Sequence, residues 1–514
     1  MNTKRLLSVS LVIGTGLAVI RSAFARVGSA KPVSKRTSYD EIDAYMEGEM
    51  RRLKIPGVSL TIVEGEKIVH SRGFGRARPG GEAPTPQTPF VLGSTTKSIT
   101  ALAVMQLVEA GKVELEAPVQ RYLPWFRVAD PKASAEMTVR HLVNQTSGLP
   151  MIAGMANLAN LDDDPDAAER QARELATLKL PHPVGTAFEY SNLNYNLLGL
   201  IVEAAGGEAY ADYIQRHIFD PLEMRHSFAR LAHAKKDGLA VGHRYWFGQP
   251  VPITDLPLAR GSQASGQLIS CAEDMAHYLI ALLNGGRYQG EQILSSAGID
   301  ELQRGVAEQR VVGTSVAKYG MGWFIAKIGR TKVVSHGGNV PDFWSYIAIL
   351  PEQNKGIVLL ANADPWGLPF MMVEVGDGAA ALLAGEQPPA KHFAFIPWVM
   401  RALPLIPLLQ IVGALTTLRL LRRWRQNPLR RPGSGRVWRQ HILLPLIPNL
   451  SLVVVLAYLR SSGLLGFMHL YMPDLVWIAR MSGGFAGIWA LLRTALVLKA
   501  AGGKSSTGAT HIAR

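Results

Sequence analysis

Two residues at the start of a predicted helix have side chains that could carry out acyl transfer. Ser94 and Lys97 lie three positions apart in the stretch VLGSTTKSITALAVMQLVEAGKVEL, which begins at Val91. Side chains with this spacing on a helix have Cβ atoms about 5–6 Å apart. A neutral lysine there could remove the serine proton, and burial or a nearby positive charge would favour the neutral form. Because the pair also fits a helix start followed by a solvent-facing lysine, the pair alone leaves both interpretations open.

Two further stretches contain groups that could complete such a site. The sequence GTAFEYSNLNYNLLGLIVEAAGG places Tyr190-Ser191-Asn192 directly before a predicted apolar helix. The sequence KVVSHGGNVPDF places His336-Gly337-Gly338 at the end of a predicted strand. A phenol can transfer protons, and backbone N–H groups can stabilise an oxyanion. Taken singly, the tyrosine also fits a packed strand residue and the two glycines an ordinary turn.

The order of these motifs resembles that of the serine β-lactamase and penicillin-binding-protein superfamily, particularly its branch of class C β-lactamases, D,D-peptidases and esterases. That superfamily carries S-x-x-K, Y-x-N and [KH]-[TSG]-G in this order. Here the motifs are Ser94–Lys97, Tyr190–Asn192 and His336–Gly338. Segments 139–150 and 264–279 also resemble stretches that line the site in this family.

The resemblance covers residues 38–385 and implies a β-lactamase-like α+β fold. That fold has an antiparallel sheet flanked by helices, together with a mostly helical subdomain. The residue pattern favours the same class, because strand-like stretches lie at both ends of this region and helical patterns lie between them. The predicted strands occupy 58–75 at one end and 320–362 at the other.

The resemblance also implies a role for each residue of the site. Ser94 would attack a carbonyl group. Lys97 and Tyr190 would accept the proton of the serine hydroxyl, and Tyr190 would also donate a proton to the leaving group. Asn192 would bind either the substrate amide or the lysine. The backbone N–H groups of Ser94 and Asn339 would form the oxyanion hole. No metal and no organic cofactor are expected for this chemistry.

The third motif departs from the pattern of many penicillin-recognising members, which have lysine at the position of His336. With an unperturbed pKa near 6.5, this histidine would be mostly neutral in a slightly alkaline medium. Gly337 also lacks the hydroxyl that commonly helps to bind the substrate carboxylate. We therefore expect poor turnover of β-lactams and better turnover of esters, D-amino-acid amides or peptides, whose enzymes often have the H-x-G form.

Beyond about residue 390 the chain becomes apolar and basic, which predicts a membrane region over 392–499. From Lys391 to the C-terminus there are 16 lysines and arginines and one acid, Asp474. Crossing a bilayer requires about 20 apolar residues. The predicted spans are 394–418, 441–459 and 475–498.

The charges around these spans predict their orientation. Residues 419–439 contain eight arginines and no acid, and the positive-inside rule places such a loop in the cytoplasm. The domain before the first span would then be periplasmic or extracellular. Residues 1–25 agree with this, because Lys4 and Arg5 precede an apolar stretch and a small-x-small cleavage site, as in a signal peptide. An uncleaved anchor is the alternative for this segment.

The net charge of +14 could suggest a nucleic-acid partner, but most of the excess is arginine beside apolar runs. That pattern is typical of membrane topology, so we expect a lipid bilayer and a small-molecule or peptide substrate as partners. The single cysteine, Cys271, allows no internal disulfide and is interpreted as a buried structural thiol.

Together these features predict a multi-pass, membrane-anchored extracytoplasmic serine hydrolase that forms an acyl-enzyme with an ester or amide substrate of the peptide or D-amino-acid type. Three alternatives stay open. The three-span tail resembles that of prodrug-activating periplasmic peptidases, which remove an N-acyl-D-asparagine cap. The chain could also be a true β-lactamase or D-Ala-D-Ala carboxypeptidase, or an inactive binding or scaffold protein of the cell envelope.

Overall fold

The computed structural model describes residues 39–256, 259–309, 317–365, 369–427, 429 and 431–502. The predicted signal peptide, 1–25, lies outside the described residues.

The longer described strands, of seven to ten residues, all belong to one sheet. The described strands are β1 (Gly57–Glu64), β2 (Lys67–Gly75), β3 (Phe90–Val91), β4 (Gly242–Trp246), β5 (Gln249–Ile253), β6 (Ile269–Ser270), β7 (Arg287–Tyr288), β8 (Glu291–Gln292), β9 (Ala307–Gln309), β10 (Ala317–Tyr319), β11 (Phe324–Ile328), β12 (Thr331–Val340), β13 (Phe343–Leu350) and β14 (Lys355–Ala361). Eight of these form an antiparallel sheet in the order β2-β1-β14-β13-β12-β11-β10-β9. Strands β3 and β6, β4 and β5, and β7 and β8 form two-stranded pairs.

The described α-helices fall into a globular domain and a C-terminal tail. Those of the globular domain are α1 (Tyr39–Leu53), α2 (Thr96–Glu109), α3 (Pro131–Glu136), α4 (Val139–Val143), α5 (Met151–Asn157), α6 (Ala167–Arg173), α7 (Asn192–Gly206), α8 (Tyr210–Ile214), α9 (Leu231–Lys236), α10 (Gln263–Gly266), α11 (Ala272–Leu283), α12 (Ser296–Leu302) and α13 (Pro369–Leu383). Those of the tail are α14 (Ile396–Ala402), α15 (Leu405–Gln426), α16 (Ser434–Arg436), α17 (Leu444–Ser461), α18 (Leu464–Tyr471) and α19 (Pro473–Gly502).

Helices cover both faces of the large sheet. Alternate residues of a strand point to opposite faces. In β13, Ile347 and Ile349 join the apolar core that contains α2 and α11, whereas Tyr346 and Ala348 join the core that contains α1 and α13. Every residue of β13 is therefore buried. With the helical stretch from α3 to α10, this arrangement confirms the predicted α+β, β-lactamase-like fold.

Three helical segments of the tail are long and apolar enough to cross a membrane: Leu405–Gln426, Ser434–Ser461 and Pro473–Gly502. The first predicted span, 394–418, is divided in the structure, because α14 ends at Ala402 and α15 begins after Pro404. Proline lacks an N–H donor and has a helical φ, so it favours such a helix start.

Small residues let the tail helices approach one another closely. A Cβ atom added at Gly483 of α19 would lie 3.0 Å from a methyl carbon of Leu456 in α17, and one at Gly487 would lie 3.6 Å from Val453. The small-xxx-small spacing of α19 therefore allows close packing against α17, an arrangement that is common between membrane helices.

The short helix α18 lies between the second and third long segments and contacts the globular domain. The tail and this domain belong to one compact unit. Phe467 and Leu470 are buried in the same apolar core as Tyr346 and Leu359 of the sheet. The loop before α18 approaches α5, since a Cβ atom at Gly463 would lie 2.9 Å from the side chain of Ala156.

Candidate active site

Ser94 lies in a 3-10 turn, Gly93–Thr95, which leads directly into α2. Its side chain is partly exposed, whereas the residues that follow it in α2 are almost all buried. The hydroxyl of Thr95 donates to Leu92 O at 2.9 Å and lies 3.0 Å from the hydroxyl of Ser345 in β13. The turn is thus held against the sheet, with the Ser94 side chain accessible.

Lys97 lies one turn further along α2 and is completely buried. Its Nζ lies 3.0 Å from Ser94 Oγ, 2.7 Å from Asn192 Oδ1 and 2.6 Å from the carbonyl oxygen of Ser265. All three of these acceptors are uncharged. Burial lowers the pKa of Lys97 well below its ordinary value, because the charged form loses its hydration.

Tyr190 reaches the same point from the segment that precedes α7. Its ring is 5.0 Å from Lys97 Nζ and packs against Tyr319 and Phe324, with ring centroids 6.3 Å and 6.4 Å away. Burial raises the pKa of Tyr190 well above its ordinary value, while a hydrogen bond with Ser94 acts in the opposite direction. The structure therefore brings the serine, the lysine and a protonated phenol together.

His336 is buried beside this group, with 2 % of its surface exposed. Its Nδ1 donates to the carbonyl oxygen of Gly337 at 2.7 Å, and its Nε2 has no hydrogen-bond partner among the described residues. Burial and the nearby charge of Lys97 lower the pKa of His336 to about 3. The imidazole is therefore neutral at physiological pH.

Two glycines allow the end of β12 to lie against the Ser94 turn. A Cβ atom at Gly338 would lie 2.0 Å from Leu92 O and 3.0 Å from Ser94 N. A Cβ atom at Gly93, which has a φ of +58°, would lie 2.7 Å from Asn339 N. Larger residues could not occupy either position without moving the backbone, so the two glycines bring the N–H groups of Ser94 and Asn339 close together.

Asn339 is held on two sides. Its side-chain Nδ2 donates to Asp364 Oδ1 at 3.1 Å, and its carbonyl oxygen accepts a long hydrogen bond of 3.4 Å from the Tyr471 hydroxyl of α18. Asp364 is buried, and burial raises its pKa to about 8, with the Asn339 hydrogen bond opposing and Asp342 reinforcing that shift. Asp342 itself forms a bidentate ion pair with Arg244 at 2.9 and 2.7 Å.

Sequence reasoning missed several residues that contact the site, among them Ser265, Asp364 and Tyr471. Segment 264–279 was expected to line the site, but Ser265 acts through its backbone carbonyl, which a side-chain motif does not mark. Asp364 follows a buried strand without a local pattern, and Tyr471 lies in the tail, far away in sequence.

The remaining candidates for metal or thiol chemistry have structural explanations. Among the described residues, no group of three or more His, Cys, Asp or Glu side chains could hold a metal ion. Cys271 is buried, and its sulfur accepts a 3.3 Å hydrogen bond from the Asp274 N–H at the start of α11. Burial raises the pKa of Cys271 well above its ordinary value, which favours an unreactive thiol.

Comparisons with known proteins point to one group. Residues 42–373 match the family profile described as Beta-lactamase. The chain is 28% identical over 337 residues to Protein flp of Staphylococcus aureus (strain MW2), covering 65% of each protein, which is less than two thirds of that relative's length. It is 29% identical over 315 residues to penicillin-binding protein 4 of Amycolatopsis lactamdurans, covering 60% of this chain and 81% of the relative.

A solved structure gives the same result for the fold. The octameric penicillin-binding protein homologue from Pyrococcus abyssi superposes with a TM-score of 0.61 at 29% sequence identity. The match covers 71% of this chain and 81% of that chain.

Proposed function

Because the chain belongs to the beta-lactamase family, whose members are generally serine hydrolases, we propose that it is a membrane-anchored enzyme that forms an acyl-enzyme on Ser94 with an ester or amide substrate. The observation that carries this proposal is the 3.0 Å separation between Ser94 Oγ and the buried amine of Lys97. Nucleophile and base must be within hydrogen-bond reach for proton transfer.

Lys97 is the proposed base for acylation. A neutral amine has two N–H donors and one lone pair. Asn192 Oδ1 and Ser265 O, at 2.7 and 2.6 Å, take the two donors, which leaves the lone pair for the Ser94 hydroxyl. As Ser94 Oγ bonds to the substrate carbonyl carbon, its proton passes to Lys97.

Tyr190 is the proposed acid for the leaving group. Because burial raises its pKa, the phenol is protonated and can donate to the departing alkoxide or amine. The phenolate left on Tyr190 would then regain its proton from the Lys97 ammonium, whose nitrogen lies 5.0 Å from the centre of the Tyr190 ring. In deacylation the same phenol and amine would remove a proton from water.

The carbonyl oxygen becomes negatively charged during acylation. Its proposed partners are the backbone N–H groups of Ser94 and Asn339, which Gly93 and Gly338 allow to approach. Fixed donors of this kind need no reorganisation as the charge develops, and removal of one typically costs about 10²–10³ in rate.

A neutral His336 supports a preference for substrates without a carboxylate next to the scissile bond. Its pKa of about 3 means that it supplies no positive charge at neutral pH, and Gly337 supplies no hydroxyl. The proposed substrates are therefore esters or peptide-like amides. The D-asparaginyl peptidase, the β-lactamase or carboxypeptidase and the inactive scaffold are the competing functions.

The membrane placement belongs to the same proposal. The apolar parts of the segments Leu405–Gln426, Ser434–Ser461 and Pro473–Gly502 would cross the bilayer, with the globular domain outside. The arginine-rich loop 419–439, which includes the adjoining ends of the first two segments, would lie in the cytoplasm. The contact of α18 with the globular domain supports this, because it puts the loop between the second and third segments on the domain's side.

Labelling with a fluorophosphonate followed by intact-mass analysis tests the acyl-enzyme. We expect one adduct on the full chain, none on Ser94→Ala, and an unchanged adduct on Ser71→Ala, which removes an exposed serine of β2. An unlabelled full chain would support the inactive scaffold instead.

A substrate panel separates the remaining functions. It contains a p-nitrophenyl ester, a D-amino-acid amide, an N-acyl-D-Asn peptide and a β-lactam reporter. We expect Ser94-dependent turnover of the ester to exceed that of the β-lactam. Efficient β-lactam turnover would contradict the preference inferred from His336, and cleavage of the N-acyl-D-Asn peptide alone would favour the prodrug-activating function.

A further inference from the structure

The hairpin of β4 and β5 has an unusual residue at its turn. Trp246 pairs with Gln249, so Phe247 and Gly248 form a two-residue loop. Both have positive φ, +49° and +76°. Asn, Asp and Gly are preferred at such positions, because a bulky side chain strains the left-handed backbone. A phenylalanine in this strained conformation raises the question of what its ring does outside the turn itself.

The tip of this hairpin, residues 246–251, is uncharged and apolar except for Gln249, with the sequence WFGQPV. Phe247 is 48% exposed and Val251 is 38% exposed. Single exposed apolar residues are common on soluble proteins. Exposure alone therefore does not show what the tip contacts, and its position in the molecule has to be considered.

The tip is attached to the start of a long tail helix. The backbone N–H of Phe247 donates to Asp474 Oδ2 at 2.9 Å, and Asp474 is in the first turn of α19. A helix of 30 residues is roughly 45 Å long, whereas the hydrocarbon layer is about 30 Å thick. If α19 crosses the bilayer, its first turn lies in or near the headgroup layer, and the hairpin tip lies there too.

A second exposed aromatic group lies just before the first long segment. Phe395 is 56% exposed and Trp398, in α14, is 72% exposed. The guanidinium of Arg401 lies 5.7 Å from the Trp398 ring centroid. Aromatic and basic side chains of this kind are enriched where membrane proteins meet the headgroups.

We propose that the hairpin tip, residues 246–251, inserts into the outer headgroup layer and forms a membrane contact of the globular domain, separate from the crossing helices. The inference rests on the proposal that α19 crosses the bilayer. The hairpin would then be held at the membrane surface both by the hydrogen bond from Phe247 N–H to Asp474 and by its own apolar side chains in the lipid.

Spin labelling of the full chain in phosphatidylcholine–phosphatidylglycerol nanodiscs tests this proposal. In a Cys271→Ala background, a nitroxide is attached at Phe247→Cys in one variant and at Val251→Cys in another. Val251 lies outside the turn, so its label reports on the tip even if the substitution of Phe247 changes the turn. Two reference sites are Val454→Cys on α17 and Ile68→Cys on β2, which are 65% and 37% exposed. Ile68 lines a recess with His277 of α11, on the other side of the sheet from α18.

The measured quantity is the ratio of oxygen to nickel-chelate accessibility, which rises with depth in lipid. We expect both hairpin labels to have ratios severalfold above that of Ile68 and below that of Val454. Hairpin ratios equal to that of Ile68, with a high ratio at Val454, would overturn the proposed hairpin contact. The proposal that the tail helices cross the bilayer would still stand. A low ratio at Val454 would overturn the crossing of the membrane and this inference with it.

Discussion

The amine nitrogen of Lys97 lies 3.0 Å from the hydroxyl oxygen of Ser94, inside a shell of uncharged acceptors. A carboxylate partner would stabilise the ammonium form, whereas uncharged acceptors offset less of the cost of burying a charge. The buried amine of Lys97 can therefore be neutral and act as the base. Substitutions of Lys97 and of its neighbours should have different effects on the reaction.

Lys97→Arg should strongly slow acylation while keeping a long basic side chain. Arginine stays protonated at any usable pH, so it cannot accept the serine proton. We expect the rate of fluorophosphonate labelling at Ser94 to fall by about 10²–10⁴, the usual contribution of a general base. Lys112→Arg, at an exposed position after α2, is the matched control and should label at the wild-type rate. Normal labelling of Lys97→Arg would rule out the proposed base.

The pH dependence of ester turnover should have an acid limb that belongs to Lys97. Because burial lowers the pKa of Lys97, the amine gains its proton only as the pH falls through a value well below 10.5, and kcat/KM should be lost over that interval. His336, with a pKa of about 3, is neutral on both sides of the limb. His336→Gln should therefore leave the midpoint of the limb in place, even if it lowers the plateau. A midpoint that moves with this substitution would assign the limb to the histidine.

Gly338→Ala should damage both the site and the fold. The added methyl group would meet Leu92 O at 2.0 Å, and β12 would have to move away from the Ser94 turn. We expect a loss of roughly 1–3 kcal/mol in the free energy of unfolding. The rate should also fall by about 10²–10³ as an oxyanion donor is displaced. Gly48→Ala in α1 is the control, since nothing lies within 4 Å of its added Cβ; an active Gly338→Ala would contradict the proposed oxyanion hole.

Asp364→Asn should stabilise the protein in a pH-dependent way. Asp364 has a pKa raised to about 8, so between its unfolded pKa, about 4, and pH 8 the unfolded state binds fewer protons than the folded state. Stability of the natural chain therefore falls as the pH rises through this window. Asparagine keeps an acceptor for Asn339 without this penalty.

Calorimetry of both proteins in the same detergent at pH 5, 6.5 and 8 measures this effect. We expect the advantage of Asp364→Asn in Tm to grow with pH, and its advantage in the free energy of unfolding to reach at least about 1 kcal/mol by pH 8. A constant difference would mean that Asp364 does not titrate in this range. A destabilised variant at pH 8 would show that its charge is needed in the folded protein.

The sequence predicted the parts of the site that belong to local motifs. Ser94 and Lys97 meet in the structure, as the spacing of their motif implied, and Asn192 joins them, as the resemblance to the superfamily implied. The hydrophobic periodicity also predicted the α+β class, because strand and helix periods differ. The Ser94–Lys97 spacing and the periodicity depend on residues that are close together in the chain, whereas Asn192 is 95 positions from Lys97.

What the sequence did not reveal depends on tertiary contacts. The neutral state of His336 was expected from its ordinary pKa, but the shift to about 3 comes from burial beside Lys97, which no motif encodes. The contact of Tyr471 with Asn339 joins the tail to the site across a large separation in sequence. The break at Pro404 was missed because the apolar run continues through it.

The shared apolar core between α18 and the sheet affects recombinant production of the enzyme. Phe467, Leu470 and Met472 are each 9% exposed, and their burial depends on contacts with the globular domain as well as with the tail. A secreted fragment that stops after Leu383 would lack these three side chains. The apolar residues of the globular domain that they cover would then be exposed to water, and such a surface promotes aggregation. Such a fragment would be better purified with polar replacements on that face, or as the whole chain extracted in detergent.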